Sequence, residues 1–190
     1  MARLKSEDKR NALVGAAVQV IAREGLSAPT ARIAEQANVA HGSLFNYFQT
    51  KNDLLNELYL ELKADLCAAI LSDFPESDDP RERIGHVWMQ WVDWGTSAPE
   101  KHKALAQLWV SELVTEQTRQ ISERNNADVI EIIRQSSAHG ALRGRPVTFV
   151  SAIMEAMTGA TMDFIIRDPK GADEYRRSGF DAFWNAIAKP

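Results

Sequence analysis

A single cysteine, Cys67, stands among the 190 residues, so no disulfide can form within the chain. It sits in the apolar stretch from Leu66 to Leu71, which reads as the setting of a buried structural thiol. Histidine is scarce too. The four copies, His41, His86, His102 and His139, never fall four apart on one helical face, which with one cysteine leaves no zinc constellation. The chain has no glycine-rich phosphate loop, nucleophile elbow or metalloprotease helix. It therefore reads as a non-enzyme with no metal and no cofactor. No uninterrupted apolar run approaches the length of a membrane span, and the charged N-terminus lacks the apolar core of a secretion signal. The expectation is a cytoplasmic chain with no membrane partner. Period-2 alternation, repeats and low-complexity tracts are missing as well, which points to an all-α fold.

What is present is an uneven charge. Residues 1–52 carry Arg3, Lys5, Lys9, Arg10, Arg23, Arg32 and Lys51 against Glu7, Asp8, Glu24 and Glu35, a net of +3. The whole chain is −4, so the remainder is −7. A basic head on an acidic body suits a nucleic-acid module joined to a domain with another task. Arg3, Lys5, Lys9 and Arg10 are placed to form an arm along a phosphate backbone.

The stretch from Thr30 to Lys51, TARIAEQANVAHGSLFNYFQTK, reads as two short helices and a tight turn. Pro29 discourages a helix from running in, and Thr30 is expected to cap the first one through its hydroxyl. Ile33, Ala34 and Ala37 recur at helical spacing, and Asn38 tolerates the left-handed backbone that ends a helix. The second helix is expected over about His41 to Phe48. Leu44 and Phe48 share its inner face; Ser43, Asn46 and Tyr47 form another stripe. Gly42 weakens a helix, a cost that close approach to a phosphate offsets. Thr50 with Asp53 three residues on has the pattern of a capping box, and Lys51 beside it suits a phosphate. A second helix of this kind fits the major groove of DNA. Pairs of short amphipathic helices also occur in bundles that bind nothing, so this geometry alone leaves both readings open.

The residues Ala16–Ala17, Ile21, Glu24–Gly25, Thr30, Arg32–Ile33–Ala34, Ala37, Val39 and the run GSLFNYFQTKNDLL settle the comparison. Over residues 8 to 60 the chain resembles the DNA-binding domain of the TetR family of transcriptional regulators. The resemblance implies that Thr30, Tyr47 and Lys51 hold DNA phosphates, and that His41, Gly42, Ser43 and Phe45 lie nearest the base edges. Asn46 matches a variable position that reaches phosphate or base. The chain departs from the family pattern at Ala40, where a capping Ser or Thr is common, at Asn38 in place of a turn glycine, and at His41 in place of Lys, Arg or Gln. Ala31 lacks the longer chain some members use. Base reading then rests on His41, Ser43, Phe45 and Asn46; Asn pairs with adenine and Phe contacts a thymine methyl. If His41 meets phosphate as a cation, affinity falls as pH rises through the histidine range.

Beyond residue 52 the pattern stays helical to about Ala188, with breaks at 74–80, 97–99, 140–146 and 168–171. Asp79 and Pro80 fit a cap and a first helical residue, and Thr115 fits the cap of a helix running to about Ser137. Four of the five tryptophans lie between 88 and 109. Trp88, Trp91, Trp109 and His102 are candidate effector contacts, weighed against ordinary core packing. The last two helices, with Met154, Met157, Phe164 and Phe183, are the candidate dimer surface, because the first of them is apolar nearly all round.

The expected architecture is a three-helix helix-turn-helix domain at 1–52, with its motif at 30–49. A helical effector-binding and dimerisation domain follows at 53–190. The expected function is a ligand-responsive regulator, most simply a repressor, whose homodimer binds a palindromic operator in double-stranded DNA and is released by a small apolar or aromatic effector. The alternative is a helical protein-interaction adaptor without specific DNA binding. Tyr47→Ala and Lys51→Ala are expected to weaken binding evenly across sequences, whereas Ser43 substitutions change the preference between sequences. Titration on operator and random duplexes checks this; equal effects of all three contradict it.

Overall fold

The computed structural model describes the backbone of residues 2–188 and side chains from residue 7 to 188. Ten α-helices and one short 3-10 turn occupy these residues, with no strand among them. They are α1 Ala2–Glu24, α2 Thr30–Gln36, α3 His41–Leu44, α4 Lys51–Leu71, α5 Pro80–Ser97, α6 Pro99–Trp109, α7 Glu116–Asn125, α8 Ala127–Ser136, α9 Val147–Arg167 and α10 Ala172–Ala188, the turn being Pro169–Gly171. The fold is all-α, with the helix-turn-helix at the N-terminal end and a helical region after it.

The helices fall into two compact units, Met1–Lys63 with Ala98–Ser122, and Ala64–Ser97 with Glu123–Pro190. The first holds α1 to α3, the opening turns of α4, and α6. Leu13, Ala17 and Ile21 of α1, Ile33 of α2, Leu44, Phe48, and Leu54, Leu55 and Leu58 of α4 are among its fully buried side chains, with Leu108 of α6. Gln107 of α6 donates to the Ile21 carbonyl at 3.1 Å, which also accepts from the Gly25 N–H at 2.9 Å, and so ties α6 to the end of α1. The second unit packs α5 against α8, α9 and α10. Its buried side chains include Trp88, Ile132, Val150, Met154, Phe183 and Ile187.

Several boundaries follow from caps written in the sequence. Asp79 Oδ1 accepts from the Arg81 N–H at 2.9 Å, with Pro80 opening α5. Thr115 Oγ1 accepts from the Thr118 N–H at 3.2 Å at the start of α7. Two elements differ from the expected pattern. The long helix after Thr115 breaks at Asn126 into α7 and α8. Helix α6, expected over about Glu100 to Val114, stops at Trp109, where Arg119 donates to the Trp109 and Ser111 carbonyls, both at 2.9 Å, and so caps that end. No local sequence signal marks that contact.

Helix α9 is the one described helix long and apolar enough, by length and composition, to cross a membrane. Reading only uninterrupted apolar runs missed it, because Glu155 and Asp163 interrupt the apolar sequence. It packs on α5, α8 and α10, yet Phe149, Ala152, Ala156, Ala160 and Phe164 remain exposed along its other side.

Gly140 marks the tightest approach in the second unit, since a Cβ there would lie 1.6 Å from the Ile187 carbonyl oxygen of α10. That neighbour is backbone and cannot rotate away. Gly140→Ala is expected to cost roughly 1–3 kcal/mol, read as a lower urea midpoint; an unchanged midpoint would show that the 140 loop is free to move.

Candidate nucleic-acid interface

Helix α2 begins one residue earlier than a Thr30 cap requires. Pro29 holds the capping position in an extended conformation, φ −72° and ψ 146°, and no side chain caps the helix. Thr30 is therefore the first helical residue, which corrects the expectation of a Thr30 cap. Its hydroxyl instead lies 3.0 Å from Nε2 of His41 on α3. The end of α2 follows the sequence reading. Asn38 takes the left-handed backbone at φ 53°, its N–H donates to the Glu35 carbonyl, and the Val39 N–H reaches the Ala34 carbonyl at 2.9 Å. These two bonds make a Schellman closure with asparagine in the usual glycine place.

The second helix is shorter than expected. Regular α-helix covers only His41–Leu44. The chain then tightens: Asn46 and Tyr47 donate to the carbonyls three residues back, Ser43 and Leu44. Ala40 offers no side-chain cap, and neither Asn38 nor any other side chain supplies one. Leu44 and Phe48 are buried, as their spacing predicted. His41, Gly42, Phe45 and Asn46 are exposed, and Ser43 and Tyr47 are half-buried. Phe45 displays 43% of its surface, and the His41 ring makes an edge contact with it at 5.4 Å. A Cβ at Gly42 would meet nothing within 4 Å, so no packing inside the chain requires glycine there.

Lys51 opens α4 behind a complete capping box. The Thr50 N–H donates to Asp53 Oδ2 at 2.9 Å and the Asp53 N–H donates to Thr50 Oγ1 at 3.1 Å. Lys51 is half-buried, and that burial pulls its ammonium below the ordinary lysine range. No carboxylate pairs with it among the described residues, which leaves a partly dehydrated cation open to an outside anion.

The other basic residues of the head have different duties. Arg10 donates to Glu57 and Glu61 of α4, both at 2.6 Å, and these partners hold its guanidinium above the usual range, Glu57 foremost. It is therefore an internal tie and not part of an arm; the side chains of Arg3 and Lys5 lie outside the described residues. Arg32 pairs with Glu35 at 3.0 Å and Glu24 at 3.8 Å. These residues line an open polar cleft of about 540 Å³ with Val20, Arg23 and Gln36.

The candidate effector contacts divide between the two units: His102 and Trp109 belong to the first, Trp88 and Trp91 to the second. Trp88 is completely buried, stacks on Phe183 at 5.5 Å and donates to the Arg176 carbonyl at 3.2 Å. It packs as a core residue of the second unit. Trp91 is also buried, and Trp109 carries Lys63 over its ring at 4.2 Å. Met154 and Phe183 are fully buried within this chain, so they are not surface available to a second copy; Phe164 is 53% exposed and Met157 half-buried. No group of three metal-ligating side chains gathers among the described residues.

Sequence reading missed Asn56. Its amide donates to the Leu113 carbonyl and accepts from the Thr115 N–H, both at 2.9 Å, tying the start of α4 to the segment after α6. Asparagine on a helix gives no local hint of such a partner. Thr50→Ala, which removes one side of the capping box, is expected to cost about 1 kcal/mol of stability and to weaken DNA binding through Lys51; a Tm unchanged within error would show the box to be idle.

Residues 13–58 match the family model described as bacterial regulatory proteins, tetR family. The fatty acid metabolism regulator protein of Bacillus subtilis (strain 168) is 33% identical over 76 residues, a match spanning 40% of this chain and 39% of that protein, well under two thirds of its length. Similarity to solved structures runs through the whole chain. A tetR family transcription regulator of Shewanella sp. PV-4 is 28% identical with a TM-score of 0.81, over 96% of this chain and 99% of that one. The Bacillus subtilis regulator FadR, solved with stearoyl-CoA, is 18% identical with a TM-score of 0.68, over 94% of this chain and 99% of that one.

Proposed function

The chain belongs to the TetR family of bacterial transcription regulators, and on that premise we propose that it is a cytoplasmic repressor, binding a palindromic operator as a homodimer and released by a small apolar effector. The observation that carries this reading is the surface at 41–51. An exposed apolar ring and an exposed asparagine lie in the segment anchored by buried Leu44 and Phe48, and Lys51, with no carboxylate partner among the described residues, opens the next helix. Phosphate contacts from Thr30, Tyr47 and Lys51 fix the register, while Ser43, Phe45 and Asn46 face the bases, with His41 and Gly42 at the start of the same helix. Residues 1–52 then form the DNA-binding segment and 53–190 the regulatory one.

The homodimer rests on the uncovered side of α9. Phe149, Ala152, Ala156, Ala160 and Phe164 recur at helical spacing and are exposed, and small residues let a second helix approach closely. Two recognition helices related by a two-fold axis read half-sites about one or more turns of DNA apart. The effector is expected to carry an apolar or aromatic moiety. Stearoyl-CoA in the FadR relative makes long-chain acyl-CoA thioesters the first compounds to test. Helix α4 begins at the DNA-facing Lys51 and continues into the second unit, so an effector that favours one placement of α4 shifts the spacing of the heads.

Two measurements test the proposal. Log affinity for duplex DNA should fall steeply and linearly with log salt, by a slope of about −0.9 for each phosphate neutralised, with operator bound more tightly than random duplex; the protein-adaptor alternative gives no specific DNA binding. Ala156→Arg should turn the dimer into a folded monomer on light scattering and lower operator affinity by roughly 100-fold or more. A variant that remains dimeric moves the interface off α9.

A further inference from the structure

His41 is the one residue of the reading helix with a polar side-chain partner elsewhere in the motif. Its Nε2 lies 3.0 Å from Thr30 Oγ1, across the turn between α2 and α3. No carboxylate pairs with it among the described residues, and Arg32 and Glu35 on the facing helix pair with each other at 3.0 Å. The imidazole is therefore committed at one nitrogen to a hydroxyl, and its ring rests against Phe45. A residue so held is poorly placed to read a base through Nε2.

The bond has two forms, and they are not equivalent for DNA. A threonine hydroxyl has one proton. If Nε2 is bare, that proton points at the imidazole and Thr30 presents only lone pairs to the outside, which repel a phosphate oxygen. If Nε2 carries the proton, it donates to Oγ1, and the hydroxyl proton is free to turn outward. Only the second form lets Thr30 donate to a phosphate. The same form is enforced when the ring is fully protonated, because both nitrogens are then donors.

Resting on the DNA-binding reading above, we propose that His41 is a positioning residue: its Nε2–H donates to Thr30 Oγ1 and turns the Thr30 hydroxyl proton toward a DNA phosphate oxygen. His41 thus acts on the backbone contact of α2, not on a base. The identity of residue 41 sets affinity on every sequence alike, and sequence preference is left to Ser43, Phe45 and Asn46.

The test uses the full-length chain, the duplex it enriches from a random pool, and a scrambled duplex of equal length. Thr30→Val and His41→Leu are each expected to weaken binding about 3- to 10-fold on both duplexes. The double variant should be no weaker than the weaker single. His41→Gln, whose amide N–H reaches the same oxygen, should recover most of the loss, and Thr30→Ser should lose little. Nitrogen-15 spectra of the free protein at about pH 8, where an ordinary histidine is neutral, should show the His41 proton on Nε2. Additive losses, a bare Nε2, or a changed base preference in His41→Leu overturn the inference and return His41 to base reading. Failure of the parent chain to bind any duplex is a different result: it removes the DNA-binding reading itself, and this inference falls with it.

Discussion

The ring of Phe48 is the point on which the surface at 41–51 depends. It is almost wholly buried, and the Arg10 guanidinium lies over it at 5.7 Å from the ring centre while bonding Glu57 and Glu61 of α4. Three segments meet there: α1 through Arg10, the turn after α3 through Phe48, and α4 through the two carboxylates. Burial of the ring is worth roughly 1.5–3 kcal/mol. The ion pairs are more than a third exposed on the carboxylate side, so solvent screens them and they contribute less. The apolar term supplies the stability, and the charges select which way α1 and α4 face the turn. With Phe48 fixed, Phe45 and Tyr47, three and one residues earlier, have little freedom.

The same constraint explains why the α3 segment works with one turn of regular helix. An isolated four-residue helix has no stability of its own. This one is held by Leu44 and Phe48 beneath it, by the Asn38 closure before it and by the Thr50–Asp53 box after it. Its outward side chains carry no structural duty among the described residues beyond the Thr30–His41 bond and the Phe45 contact, which leaves them available to contacts outside the chain. The first unit also draws in α6 and the segment after it, through Gln107 on the Ile21 carbonyl and Asn56 on Leu113 and Thr115. Movement of α6 is therefore felt at α1 and at the first turns of α4.

Local rules carried much of this into the sequence. Asn38, Thr50 with Asp53, Asp79–Pro80 and Thr115 act within four residues of themselves, and each was readable because the chemistry of a helix end is local. The 3.6-residue period placed Leu44 and Phe48 inside for the same reason. What was not readable depends on partners distant in the chain. Arg119 ends α6 from ten residues away, Arg10 is taken from the supposed arm by Glu57, and Trp88 is claimed by Phe183. Composition marks tryptophans and methionines as buried, but it does not say whether they bury against their own chain or against something else. Met154 and Phe183 show the own-chain outcome; Phe164 remains exposed.

The most direct measurement is selection of bound duplexes from a random pool by the full-length protein, followed by sequencing. The account predicts an inverted repeat whose half-sites are centred about 10 base pairs, or a multiple, apart. Recovery of a single unrepeated half-site, or of no motif from a protein that binds at low salt, would contradict a dimer that reads its operator through the surface at 41–51.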